Sequence, residues 1–228
     1  MNFKGTKKVE IPYFLNRLSD DKDKSILIAG ECGGFDKISE SLYDRDFKNV
    51  TTTDIRPIQT DSWLDNNAKE WNHIKVDYIE LDEKNKFDYI IAISTFEHFG
   101  LFWENTNMFD SGADDMLRWN HDLRAIEKSC RLLKDDDSKI FVTLPIGNYM
   151  NYDDRGFPIV RYYNIDRRNL ILDSLSKENC VIEEETFYHS QNFEEWYESD
   201  VELMTPKYNH IHNLFTPNSI WGFTIKRI

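Results

Sequence analysis

Two groups of residues have the types and spacing to do chemistry. The first is Gly30-Glu31-Cys32-Gly33-Gly34-Phe35, which follows the apolar run Ile26-Leu27-Ile28-Ala29 and is read together with Asp54, twenty residues past Gly34. A glycine turn between a strand and a helix lets the backbone approach a ligand closely, and the helix start offers free N–H groups to an anion. An acid ending the next strand is placed to accept hydrogen bonds from a ribose diol. Together these features point to an adenosine-containing cofactor. The second group is Ser94-Thr95-Phe96-Glu97-His98, where the strand expected over 87–94 opens into a turn. His98 is a candidate general base, since imidazole changes charge near neutrality. A structural histidine bonded to backbone accounts for the same residue.

These residues need elements to position them. The β-branched and apolar runs predict strands at 26–29, 50–53, 74–78, 87–94, 139–144, 181–188 and 220–225. Helical spacing predicts a short helix over 11–18, one ending near Asp44, and one over 164–175. The most strongly patterned helix carries Met116, Trp119, Leu123, Ile126, Cys130 and Leu133 on one stripe. Alternating strands and helices give a three-layer α/β/α sandwich, a Rossmann-like and mostly parallel seven-stranded sheet. The last two strands lack a helix between them, which predicts an antiparallel edge. A single domain over 1–228 is expected, with 1–24 as an N-terminal helical extension. Segments 100–113, 146–163 and 190–219 exceed ordinary loop length. The first two follow strand C-terminal ends, where open α/β sheets bind ligands, and are expected to grip the substrate.

Composition narrows the partners. The net charge is −13, from 28 basic and 41 acidic residues, which argues against nucleic acid as the main partner. No apolar run approaches the roughly 18 residues of a membrane span. Residues 1–10 do not read as a signal peptide, so a cytoplasmic location is expected. Cys32, Cys130 and Cys180 form no CxxC pair and suit a reducing compartment.

The dinucleotide fingerprint GxGxxG fails, because its second and third glycines would fall on Cys32 and Phe35. The turn resembles instead motif I, usually GxGxG, of the class I S-adenosylmethionine-dependent methyltransferases. The resemblance extends to Asp54, to the run from Phe87 through His98, and to Leu132-Leu133-Lys134 before the strand at 140–144, covering about 25–147. Asp54-Ile55-Arg56-Pro57 and the run from Ser94 to Leu101 resemble a branch associated with surface-polysaccharide and glycan modification. Two positions depart from the pattern: Ile28 stands where an acid is usual, and Cys32 replaces the central glycine.

The resemblance implies S-adenosyl-L-methionine as cofactor. It puts Gly30, Glu31, Gly33 and Gly34 against the methionine and ribose, with Phe35 in the same cofactor set. Asp54 would take the ribose hydroxyls and Ile55 the adenine. Asp77 and Tyr78 would face the adenine edge and ring, and Ser94 and Thr95 the floor near the sulfonium. The implied reaction is methyl transfer to a small polar acceptor, with oxygen on a sugar or nucleotide-sugar as first choice. A methyltransferase-like binding subunit without catalysis and a nucleic-acid methyltransferase are the alternatives. Asp114, Arg118 and His121 share one helix face and, with Asp110, suit a base-and-orienter pair, a divalent metal site or a plain solvated face. His121 and Asp114 therefore join His98 as catalytic candidates, and no metal is assigned. The loop 146–163, with Tyr149, Tyr152, Phe157, Tyr162, Tyr163, Arg155 and Arg161, suits a sugar or its phosphates, or packs on its own aromatics. The tail residues Trp196, Tyr197, His210 and His212 are candidates to cover the site.

Overall fold

Continuous apolar runs at 26–29 and 89–93 need cover on both faces, and they form the middle of the sheet. In the computed structural model, residues 4–31, 37–101, 119–147, 150–152, 158–204, 212–213 and 216–228 are described, with the backbone alone for 150–152, 158–159, 212–213 and 216. β1 (Ile26–Ala29) lies parallel between β2 (Val50–Asp54) and β4 (Tyr89–Ile93), pairing Ile28 with Thr52 and Ile91. β3 (Asn72–Lys75) adds parallel to β2, and β5 (Lys139–Pro145) adds parallel to β4. The sheet continues through β12 (Ser219–Arg227) and β8 (Cys180–His189) to β9 (Tyr197–Ser199), in the order β3-β2-β1-β4-β5-β12-β8-β9. Apart from it, β6 (Met150–Tyr152) pairs with β7 (Pro158–Arg161) and β10 (His212–Asn213) with β11 (Thr216–Pro217). The chain order reverses between β1 and β4, the switch point at which open α/β sheets leave a crevice.

Alternate residues of each central strand face opposite layers. Leu27, Ala29, Ile90 and Ala92 pack with Leu123, Ile126 and Cys130 of α4 (His121–Leu132) and with Ile171 and Leu175 of α5 (Ile165–Lys177). Ile26, Ile28, Ile91 and Ile93 pack with Ile11 and Phe14 of α1 (Lys7–Leu15), Ile38 and Leu42 of α2 (Lys37–Asp44), and Leu64 of α3 (Trp63–Asn67). This is the expected three-layer sandwich.

Several details depart from the expectation. The sheet has eight strands, because the short β9 adds to β8. The expected antiparallel edge is present: β12 inserts between β5 and β8 antiparallel to both, and β9 closes that edge antiparallel to β8. A strand reached without a helical crossover returns antiparallel, and β12, buried from Ser219 to Ile225, belongs inside the sheet. β3 ends before Tyr78, because the Asp77 carboxylate accepts from the Ile79 amide (3.2 Å) and starts a 3₁₀ turn. In α4, Trp119 precedes the helix and is exposed, and Met116 lies outside the described residues. Cys130 and Cys180 are both buried free thiols, and Cys180 Sγ donates to the Glu178 carbonyl (3.6 Å).

α1 spans Lys7–Leu15, earlier than its apolar pattern predicts. Tyr13 lies over Gly222 of β12, where a Cβ would come within 3.1 Å of the ring, and its hydroxyl shares a hydrogen bond with Thr224 Oγ1 (3.1 Å). The fully buried Glu10 carboxylate accepts from Lys7 Nζ (2.9 Å), from Thr143 Oγ1 (2.8 Å) on β5, and from the Ser94 hydroxyl just past β4. Burial favours its protonated form, but Lys7 and the two hydroxyls outweigh this and hold the group below its ordinary value. Asp88 is likewise held low against its burial, by bonds from the Ser25 hydroxyl and amide and from Lys24 and Lys134. Both carboxylates therefore contribute stability above their unfolded values near pH 4, and the contribution is lost as pH falls through the folded values. Glu10→Ala leaves Lys7 and two hydroxyls without their acceptor. It is expected to lower the unfolding free energy by about 3–5 kcal/mol, read from urea midpoints, with the loss shrinking below about pH 4.

Candidate functional site

A cavity of about 560 Å³ opens over the C-terminal ends of β1, β2 and β4, at the switch point. Its floor depends on a close approach. Gly30 has φ +72°, and a Cβ there would come within 2.4 Å of Thr95 Cγ2. The amides of Gly30 and Glu31 both donate to the Thr53 carbonyl (2.7 and 3.1 Å), which ties the end of β1 to β2. Thr95 cannot easily retreat, since its hydroxyl donates to the carbonyls of Ala29 (3.2 Å) and Ile93 (3.1 Å). Ser94 adopts φ +48°, uncommon without glycine, and is held there by its bond to Glu10 and its amide's bond to the Thr143 carbonyl (3.2 Å).

Asp54 sits at the mouth of β2 and is 7% exposed. Its Oδ1 accepts from the Arg56 amide and Nε (both 2.8 Å), and its Oδ2 accepts from Arg56 Nη2 (2.8 Å). A carboxylate accepts about four hydrogen bonds, so the three from Arg56 fix its orientation and leave capacity on Oδ2 for a ribose hydroxyl. Asp77, Val76 and Tyr78 close the side of the cavity beyond β3. The Tyr78 ring leans on Phe96 and Phe99, and its hydroxyl shares a hydrogen bond with Ser129 (2.8 Å). Burial raises that phenol's proton affinity, so it is a neutral wall.

The same cavity also collects two histidines. His98, in the 3₁₀ turn Phe96–His98, and His121, at the first turn of α4, line the same cavity. Arg161, at the end of β7 (Pro158–Arg161), holds this corner in place. It is buried and donates to the carbonyls of Phe99 (3.3 Å) and Trp119 (3.2 Å), while pairing with Asp122 (3.5 Å). Arg167 bonds the same Asp122 carboxylate and the Trp119 carbonyl, and the Tyr163 hydroxyl donates to Asp122 (2.9 Å). Arg161 and Tyr163 therefore build the corner and do not present themselves to a sugar phosphate. The three long segments each reach the cavity: Gly100 and Leu101 from the first, Val160 from the second and Pro217 from the third.

Of the sequence-derived set, Gly30, Glu31, Asp54, Ile55, Asp77, Tyr78, Ser94, Thr95, His98 and His121 all line this one cavity. Gly33, Gly34, Phe35 and Asp114 lie outside the described residues, as do Asp110, Arg118 and His210. Tyr197 is on the outermost strand, 58% exposed, and does not line the cavity. Among the described residues no three His, Cys, Asp or Glu side chains gather as a metal site.

Sequence reasoning missed Thr6, Lys7 and Glu97, which also line the cavity, and Glu10 behind them. Glu97 is fully buried, and that burial, reinforced by the neighbouring Glu10 charge, pushes its carboxyl up to about 8, although its own backbone amide opposes the shift. Only its place beside His98 in the chain signalled it.

No family model matches this chain, and no curated protein matches it. Solved structures do. A S-adenosylmethionine-dependent methyltransferase from Methanosarcina mazei is similar at TM-score 0.58 and 14% identity, over 95% of this chain and 97% of that one. The 1,6-didemethyltoxoflavin-N1-methyltransferase of Burkholderia thailandensis, bound to 1,6-didemethyltoxoflavin and S-adenosylhomocysteine, is similar at 0.55 and 8% identity, over 95% and 74%. The N-methyltransferase NodS of Bradyrhizobium japonicum, in complex with S-adenosylhomocysteine, is similar at 0.53 and 10% identity, over 96% and 84%. The fold is thus the Rossmann-like fold of these methyltransferases.

Two expectations follow from the site's geometry. Gly30→Ala sets a Cβ against Thr95 at positive φ and is expected to cost about 1–3 kcal/mol of stability in denaturant titration. Folded Glu97 keeps its proton up to about pH 8, whereas the unfolded chain releases it near pH 4. Folding then takes up a proton between these values, so the group's contribution to stability falls as pH rises. Glu97→Gln removes that dependence. Its Tm relative to wild type is expected to rise from pH 5 to pH 8 by more than about 2–4 °C, the shift from one kcal/mol in a domain of this size.

Proposed function

We propose that the protein is a S-adenosylmethionine-dependent methyltransferase acting on a small polar acceptor. The observation that carries this reading is the switch-point cavity, in which the close-packed Gly30 turn and the Arg56-oriented Asp54 carboxylate stand side by side. A nucleoside fits such a pair: the glycine admits the ligand to the backbone, and the acid accepts from its ribose. Gly30, Glu31, Asp54, Ile55, Asp77, Tyr78, Ser94 and Thr95 would hold the cofactor, together with Gly33, Gly34 and Phe35 of the same turn. The relatives of like fold that carry S-adenosylhomocysteine, and the motif resemblance over 25–147, support the same reading.

The bound cofactor would supply an electrophilic methyl group. The protein's own task is then positioning, because displacement at carbon needs nucleophile, methyl and leaving sulfur in line. Leu101, Val160 and Pro217 form the apolar wall from the long segments and would exclude water there. His98 would take the acceptor's proton, with His121 beside it in the same cavity and Asp114 as its candidate orienter. The acceptor we favour is the oxygen of a sugar or nucleotide-sugar in glycan biosynthesis, in the cytoplasm. The stretches Asp54 to Pro57 and Ser94 to Leu101 and the aromatic segment 146–163 support it. No described helix is long and apolar enough to cross a membrane.

Calorimetric titration with S-adenosylhomocysteine tests the cofactor. The wild type is expected to bind, and Asp54→Ala is expected to bind about 10- to 100-fold more weakly, the loss of a hydrogen bond to a charged group. A wild-type protein that takes up no S-adenosylhomocysteine overturns the proposal. Mass spectrometry of small molecules retained by the purified protein identifies the acceptor class.

A further inference from the structure

The corner near His98 holds an acid that the scheme above does not use. Glu97 is 3% exposed and lines the cavity, and its Oε2 is buried with no hydrogen-bond partner among the described residues. Each element packed around it brings charge or a titratable group. Glu10 and Lys7 come from α1, Arg161 from β7, and Tyr163 from just beyond it. His98 follows in the chain, and His121 faces the same cavity from α4. The cations among these are committed: Lys7 to Glu10, and Arg161 to backbone carbonyls and Asp122. Two buried carboxyls thus stand near two cations that are already paired. Glu31, Asp54 and Asp77 make the rest of the wall acidic, against Arg56, whose guanidinium grips Asp54. A carboxyl buried in this way keeps its proton until a cation arrives to replace it.

We propose that Glu97 binds a positively charged onium group of the ligand in this cavity, releasing its proton to solvent as the cation docks. The change balances: the carboxyl O–H ionises, the carboxylate pairs with the onium, and no other bond forms or breaks. Two sources carry that chemistry, the methyl donor (sulfonium or ammonium) and a protonated amine on a second small molecule that enters the cavity. The first source rests on the methyltransferase reading, and the second stands without it.

Titration calorimetry at pH 7, in two buffers of different ionisation heat, counts protons released by the full chain and by Glu97→Gln. The probes are S-adenosylmethionine, S-adenosylhomocysteine, methylthioadenosine, and ethanolamine added with and without S-adenosylhomocysteine. The wild type is expected to release close to one proton for each onium ligand bound. Glu97→Gln is expected to release none and to bind that ligand at least about 10-fold more weakly, with methylthioadenosine bound equally by both. Release with S-adenosylmethionine alone assigns the sulfonium, release with both adenosyl amino acids the cofactor ammonium, and release with ethanolamine the amine of a second small molecule. If no nucleoside binds the wild type, the methyltransferase reading falls and the ethanolamine titration decides this one. Proton counts that do not differ between wild type and Glu97→Gln for any probe overturn it. The infrared band of a protonated carboxyl gives a second reading on the wild type alone. Its loss on saturation with an onium probe supports the assignment, and its persistence with every probe overturns it.

Discussion

The Glu10 carboxylate is the interaction on which the site depends. It lies where α1 meets the C-terminal ends of β4 and β5, and it accepts from Ser94, Thr143 and Lys7. The Ser94 bond offsets a left-handed backbone conformation that serine seldom adopts. That conformation turns the chain out of β4 so that Thr95 meets Gly30 and the next turn carries Glu97 and His98 into the cavity. A buried charge with three partners is costly to break, so one side chain from the N-terminal helix fixes a turn more than eighty residues away. The same contact brings Thr6 and Lys7 to the cavity wall, so α1 is part of the site.

A second set of polar contacts, centred on Asp122, holds the histidine-bearing part of the wall. Asp122 gathers Arg161, Arg167 and the Tyr163 hydroxyl, and the two arginines in turn bind carbonyls from Phe99 and Trp119. This cluster joins the turn after β4, the start of α4 and the segment after β7, which are the pieces that bring His98 and His121 to one cavity. Guanidinium groups suit the task because their several donors lie in a fixed plane. The same use makes Arg161 unavailable as an anion binder, although its place in an aromatic, arginine-bearing loop suggested that role.

Acid on both sides of the cavity gives it its chemical character. Asp54 is oriented by Arg56, while Glu97 is buried and protonated near neutrality. A carboxyl gripped by a guanidinium and one buried without a partner can do different work in one pocket. The fold alone does not choose the reaction, since one scaffold hosts many chemistries. The choice lies with side chains such as these.

The central strands were legible in the sequence, because runs such as Ile26 to Ala29 and Tyr89 to Ile93 can be satisfied only when covered on both faces. Gly30, Asp54 and Ser94 to His98 were legible for a related reason: strand ends on one side of a parallel sheet meet at the switch point. What depends on contacts between distant segments was not. No local pattern marks Glu10 as a buried anchor, since in α1 it reads as one more helical acid, and no spacing reveals that Arg56 orients Asp54 or that Arg161 faces inward. The place of β12 between β5 and β8, and the commitment of Lys7 and Arg161 to groups other than Glu97, likewise follow only once the sheet is closed. The sequence by itself determined which elements form and which residues stand at their ends, because periodicity and backbone chemistry act locally. Tertiary structure alone decided which charges are paired, because burial and partnership are settled by what packs across the chain.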